Sequence, residues 1–297
     1  MTSQPFRCLL LTLLAWIAWD PCLPYFAGAS ILGIGLLVLR KERSQRHGLD
    51  KITALGPVFL AAPMAVFGAD HFNSAVFIAR AVPSWIPWHL FWAYFVGACL
   101  ILGALSLVIK RHAGLAAALF GIMLLMFEML LHIPRIVGAP GNRFFWAVAL
   151  RDLAFSGGAL AFAAAQTEPY RTRGTHGVIT LARFFIAIPI AFFGVEHLLH
   201  PEFVPGVPLA RLTPLWIPAH LLWSYLTGAV YVAAGLSLIV NRETRLAATW
   251  LGVMILLLVL GVYVPIMAAN PSDIANGLNY VADTLLLSGS ALAFAGA

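Results

Sequence analysis

SWIPWHLFWAYFVG at residues 84–97 returns as LWIPAHLLWSYLTG at residues 215–228. Both stretches open on Trp-Ile-Pro, place a histidine two residues after the proline, and continue into W-x-Y-x-x-G. The match extends outward in both directions. Upstream, FGADHF (67–72) corresponds to FGVEHL (193–198). Downstream, LSLVI (105–109) corresponds to LSLIV (236–240), LAAALFGIM (115–123) to LAATWLGVM (246–254), Pro134 to Pro265, Asp152 to Asp283, and FSGGALAFA (155–163) to LSGSALAFA (287–295). From Trp85/Trp216 to Asp152/Asp283 the offset is a constant 131. Shared hydrophobicity does not account for this, because Trp, Pro, His and Asp coincide as well. Residues 57–166 and 183–297 are therefore two copies of one unit.

The solvent of that unit is lipid. Of the 297 residues, 61% are hydrophobic and 10% charged, with a mean hydropathy of +0.90. A soluble domain carries roughly a quarter charged residues, so this chain lacks the polar surface to face water. A spanning helix needs roughly 20 apolar residues. Segments near 54–72, 86–109, 114–133, 145–166, 178–198, 215–240, 246–266 and 277–297 meet that length. Lipid demands internal pairing of every backbone polar group, and the alternation of a membrane barrel is missing, so these segments are helices. The run 8–39 is broken by Asp20, Pro21 and Pro24 and reads as one kinked helix or two short ones. The expected fold is an all-α integral membrane protein of 9 or 10 spans. Residues 1–50 form an N-terminal transmembrane segment and basic loop, 51–166 the first four-helix repeat and 167–297 the second. Four helices per unit is an even number, so the two repeats run parallel, related by an axis along the membrane normal.

The net charge of +6 is read loop by loop, not as nucleic-acid affinity. With the loop 40–51 (RKERSQRHGLDK) in the cytoplasm, inner segments hold twelve Lys and Arg against five on the outer side. The C-terminus then lies at the inner face, and Arg183 is expected to snorkel inward. Three cysteines (Cys8, Cys22, Cys99) form no C-x-x-C pair, which argues against a dithiol relay or zinc ribbon. Cys99 reads as a packing residue.

An acidic residue and His closing the first helix, the W-I-P start of the second, and the W-x-Y-x-x-G after it resemble the DoxX-like family of small membrane proteins. The resemblance covers both units, about three quarters of the chain. It implies a four-helix membrane fold, here duplicated. It also implies a loose association with respiratory or thiol-linked oxidoreductase complexes of a bacterial inner membrane.

Ionisable groups inside a bilayer are costly and tend to have a purpose. In the first repeat Asp70 and His71 end the first helix, His89 starts the second, Glu128 and His132 share a face of the third, and Asp152 lies in the fourth. In the second, Glu196, His197, His220 and Asp283 repeat the pattern, while Val259 and Tyr263 replace Glu128 and His132. Arg151 and Arg135 are candidate partners for Asp152, whereas Asp283 has no basic neighbour in sequence. The expectation is two outward-opening pockets, one per bundle, in which imidazoles and carboxylates could ligate a divalent metal or hydrogen-bond a quinone. The bland reading is that helix ends near headgroups are wet and need no role for His or Glu. Trp85, Trp88, Trp92, Trp146, Trp216 and Trp223 read as an interfacial belt. Gly97, Gly121, Gly228 and Gly252 allow close helix packing, and Pro63 and Pro189 kink their helices. Phosphate-binding loops, dinucleotide fingerprints, H-E-x-x-H, serine elbows and haem motifs do not occur. Three functions stay open: a membrane redox component with a quinone or metal, a non-catalytic subunit that assembles with a membrane or extracytoplasmic partner protein, and a small-solute transporter.

Overall fold

The computed structural model describes residues 22–166, 173–209, 211–274 and 277–297. Among them, nine helices are long and apolar enough to cross a bilayer. The one β-type pairing is an isolated bridge between Phe203 and Leu212. The chain is an all-α, multi-pass membrane protein. Its helices are α1 (Leu23–Gln45), α2 (Gly56–Asn73), α3 (His89–Ile109), α4 (Ala113–Phe127), α5 (Arg143–Ala165), α6 (Arg173–Leu199), α7 (His220–Ile239), α8 (Thr244–Leu258) and α9 (Leu278–Ala295). The N-terminal part of the expected run 8–39 lies outside the described residues, and with it the choice between one helix and two.

The same backbone devices recur in both repeats. Trp88 and Ala219 take left-handed conformations (φ 58° and 53°), so α3 and α7 each begin at their histidine. The second of these starts five residues later than the sequence suggested, because the W-I-P turn lies outside the helix. Lys110, His112, Asn241 and Glu243 are also left-handed, which makes the α3–α4 and α7–α8 turns tight. Ser106 and Ser237 close them by donating to the carbonyls of Arg111 and Arg242. Both α4 and α8 then widen into a π turn, Glu128–His132 and Val259–Tyr263, before continuing as Ile133–Gly138 and Val264–Ala269. Pro134 and Pro265 supply the cause. A proline cannot donate to the carbonyl four residues back and clashes with it, so the preceding turn opens.

Packing joins the repeats more closely than two separate bundles would. Helix α2 packs on α1, α3 and α9, and α6 packs on α7 and α5. The first helix of each repeat thus lies against the last helix of the other. Helices α5 and α9 cross at the centre. There Gly158 and Ser290, equivalent positions, meet each other, as residues on a two-fold axis must. A side chain at Gly289 would lie 2.6 Å from the Phe59 backbone, so small residues set the spacing of α9 against α2. Gly97, Gly121, Gly228 and Gly252 sit at similar close approaches.

One side chain differs from expectation, and a second is engaged by its neighbour. Cys99 is exposed on α3 and not packed inside. Arg183 does not extend freely: its guanidinium lies 4.9 Å from the centre of the Phe184 ring, with Nη1 shielded and unpartnered. Of the six tryptophans named from sequence, Trp85, Trp88, Trp92, Trp146 and Trp216 are exposed.

Candidate metal centre

The π turn of the first repeat presents Glu128 and His132 toward α5. A turn of this width still leaves residues four apart near one face, so the two side chains stay together. Glu128, His132 and Asp152 each offer one ligand atom, and these atoms lie within 4.8 Å of one another. This is the one such group among the described residues. All three side chains are buried. His132 Nε2 donates to Asp152 Oδ2 at 3.0 Å, and Arg151 Nε donates to Asp152 Oδ1 at 2.9 Å. Arg151 Nη1 reaches across the centre to Asp283 Oδ2, also at 2.9 Å. Glu128 is only 9% exposed, and its Oε1 has no hydrogen-bond partner.

The cluster therefore brings together three carboxyl groups, one guanidinium and one imidazole. With all three carboxyls ionised, two negative charges would be in excess. Uncompensated buried charge is costly, and a bound dication would remove the excess. One imidazole and carboxylate oxygens suit divalent manganese, iron or zinc. Three protein ligands would leave coordination positions open, as in catalytic metal sites. A metal bound there would take the place of the His132–Asp152 hydrogen bond.

The other residues named from sequence lie elsewhere. Asp70 accepts from Ser74 Oγ at 3.2 Å and faces Asn279 Nδ2 at 3.5 Å. His71 Nδ1 donates to the Phe67 carbonyl at 2.7 Å. His89 and His220 begin their helices, partly exposed, with no side-chain hydrogen bond to a described residue. Glu196 accepts Arg143 Nε at 2.9 Å and so ties α6 to α5. His197 is fully buried, with Nε2 against the Gly206 peptide, 3.0 Å from its N and 2.9 Å from its O.

The second repeat thus does not assemble a matching pocket from Glu196, His197, His220 and Asp283. Each of the two acids pairs with an arginine of the first repeat. The space beside His197 and Tyr263 is filled by the connection between α6 and α7, whose Val204, Gly206, Val207 and Leu209 are buried. Tyr263 donates to the Pro205 carbonyl at 2.7 Å.

The pairing of Asp152 with Asp283 also needs correction. Ser156 and Ser288 donate to the equivalent carbonyls of Gly121 and Gly252, at 2.9 and 2.7 Å. His132 bonds Asp152, and its counterpart Tyr263 borders Gly206 together with Thr284. The last helices therefore correspond at an offset of 132. Asp152 is matched by Thr284, and Asp283 by Arg151. The change of offset between Asp152/Asp283 and the Ser-Gly stretch was the signal in the sequence. The roles of Arg151, Thr284 and the segment 201–214 had no signal of comparable strength.

Comparison of the chain with protein-family models, with curated proteins and with solved structures finds no match. What fold and site define is a class: a multi-pass helical membrane protein with a buried acid–imidazole–guanidinium cluster at the junction of its two repeats.

Proposed function

We propose that this protein is a DoxX-like redox component of a bacterial inner membrane that holds a divalent first-row metal ion on Glu128, His132 and Asp152. The observation that carries the reading is the convergence of three buried ligand atoms within 4.8 Å, one carboxylate oxygen of them unpartnered. The surplus of carboxyl groups over cations and the open coordination positions support it. The basic loop 40–51 faces the cytoplasm in this reading, by the distribution of Lys and Arg.

The test is metal analysis of the purified full-length protein, as isolated and after incubation with Mn²⁺, Fe²⁺ or Zn²⁺. About one metal per chain is expected, lost in Glu128→Gln, His132→Ala and Asp152→Asn proteins that still elute as folded monodisperse particles. A chain that neither retains nor takes up metal would sink the proposal.

A second reading of the redox partner draws on a groove of about 430 Å³ between α5 and α6. Trp146, Leu150, Ile188 and Phe192 form its apolar walls, with Arg143 and Glu196 also lining it. A quinone ring matches these walls, and quinone in a lipid extract of the purified protein would favour this reading.

A further inference from the structure

His197, Thr227 and Tyr231 are among the fully buried polar side chains of the second repeat. His197 Nδ1, Thr227 Oγ1 and the Tyr231 hydroxyl have no hydrogen-bond partner. His197 and Tyr231 adjoin across the α6–α7 interface, and Thr227 stands one turn before Tyr231 on α7. Gly194 meets Val232 there, and Gly228 meets Leu198, which sets the register of the two helices. The rings of His197 and Tyr231 are edge-on, 6.0 Å between centres. Thr227 precedes Tyr231 by four residues. A helical side chain leans back over the turn before it, so the Tyr231 ring lies toward Thr227. The connection from α6 to α7 closes this region through Gly206, which holds the other nitrogen of His197.

A buried polar atom left without a partner is destabilising. Three on one pair of packed helices are better explained by a shared polar guest. An ion does not fit, because a lone imidazole nitrogen and two hydroxyls offer no charge, and the neighbouring Glu196 is engaged by Arg143. Either tautomer of His197 must be satisfied, so the guest has to both donate and accept. We propose that a water molecule is bound here as a fixed constituent, bridging His197 Nδ1 to the hydroxyls of Thr227 and Tyr231. The first repeat cannot hold one at the equivalent place, where Ala93, Val96 and Leu100 stand for Ser224, Thr227 and Tyr231. The site is separate from the metal cluster and does not depend on it.

Two measurements on the full-length protein in lipid bilayers decide this. The first is the thermal midpoint of Tyr231→Phe, Thr227→Val and the double variant. A bridging water predicts that each single change lowers the midpoint and that the double change costs less than their sum. The second is solid-state NMR transfer of magnetisation from water to the ring nitrogens of His197, expected in the wild type and lost in the double variant. A midpoint unchanged or raised by Tyr231→Phe would overturn the proposal. So would a lowered midpoint without transfer from water, because the three groups would then be bonding directly to one another.

Discussion

The two repeats share a backbone and differ in where they keep their polar groups. Each has a left-handed start to its second helix, a serine-closed turn, and a π turn ahead of a proline. Within that common frame, the first repeat places Glu128, His132 and Asp152 on its third and fourth helices and leaves its second helix apolar at Ala93, Val96 and Leu100. The second repeat does the reverse, with Val259, Tyr263 and Thr284 at the first set of positions and Ser224, Thr227 and Tyr231 at the other. It also covers its site with its own chain, because Pro205 and Gly206 occupy the hydrogen-bonding groups of Tyr263 and His197. Backbone geometry survives duplication because proline and turn chemistry fix it locally. Side chains on a buried face are free to diverge once one copy suffices.

Exchanging side chains between the copies is the sharpest way to break the comparison. The triple change Glu128→Val, His132→Tyr and Asp152→Thr gives the first repeat the residues of the second. Complete loss of metal from an otherwise folded protein is expected by elemental analysis. Retained metal would place the site elsewhere. Next in size is Arg151→Ala, which strands Asp152 and Asp283 without their shared cation. Removing one partner of a buried ion pair costs about 3–5 kcal/mol, so a large drop in thermal midpoint is expected. A change no larger than that of an exposed pair would show that water reaches this junction. Smallest is Gly206→Ala. Gly206 has φ +125°, and an added methyl would lie 3.2 Å from the Tyr263 hydroxyl. A destabilisation of about 1–3 kcal/mol should appear together with faster proteolysis within 201–214. Were proteolysis unaffected, the cover would not depend on this turn.

Much of the fold could be read from the chain. Apolar runs of spanning length located the helices, whereas Pro134 and Pro265 were read only as matching positions and the π turns before them were not foreseen. The repeat was visible because Trp, Pro and His recur at fixed spacing. The way the copies interlock was not visible, since Gly158 and Ser290 reveal a crossing only when two helices are placed together. The site was legible in part. Glu128 and His132 are near in sequence, so their shared face followed from helical spacing, and Asp152 was named as an intramembrane acid. The partner of Asp283 lies 132 residues away, beyond any local pattern. Matching Asp152 with Asp283 was attractive because the residues are identical, yet a one-residue shift in a helix turns the side chain by about 100°. The hydrogen bonds of Ser156 and Ser288 reveal that shift.

The Arg151–Asp283 contact bears on the history of the chain. These two positions are equivalents facing each other near a pseudo-two-fold axis. In a symmetric dimer of identical subunits the same residue would have to appear on both sides, and two arginines or two aspartates would repel. Covalent fusion of the copies removes that constraint. In this chain one side carries an acid and the other a base, and the ion pair is a mark of asymmetry that no homodimer of a single unit could carry.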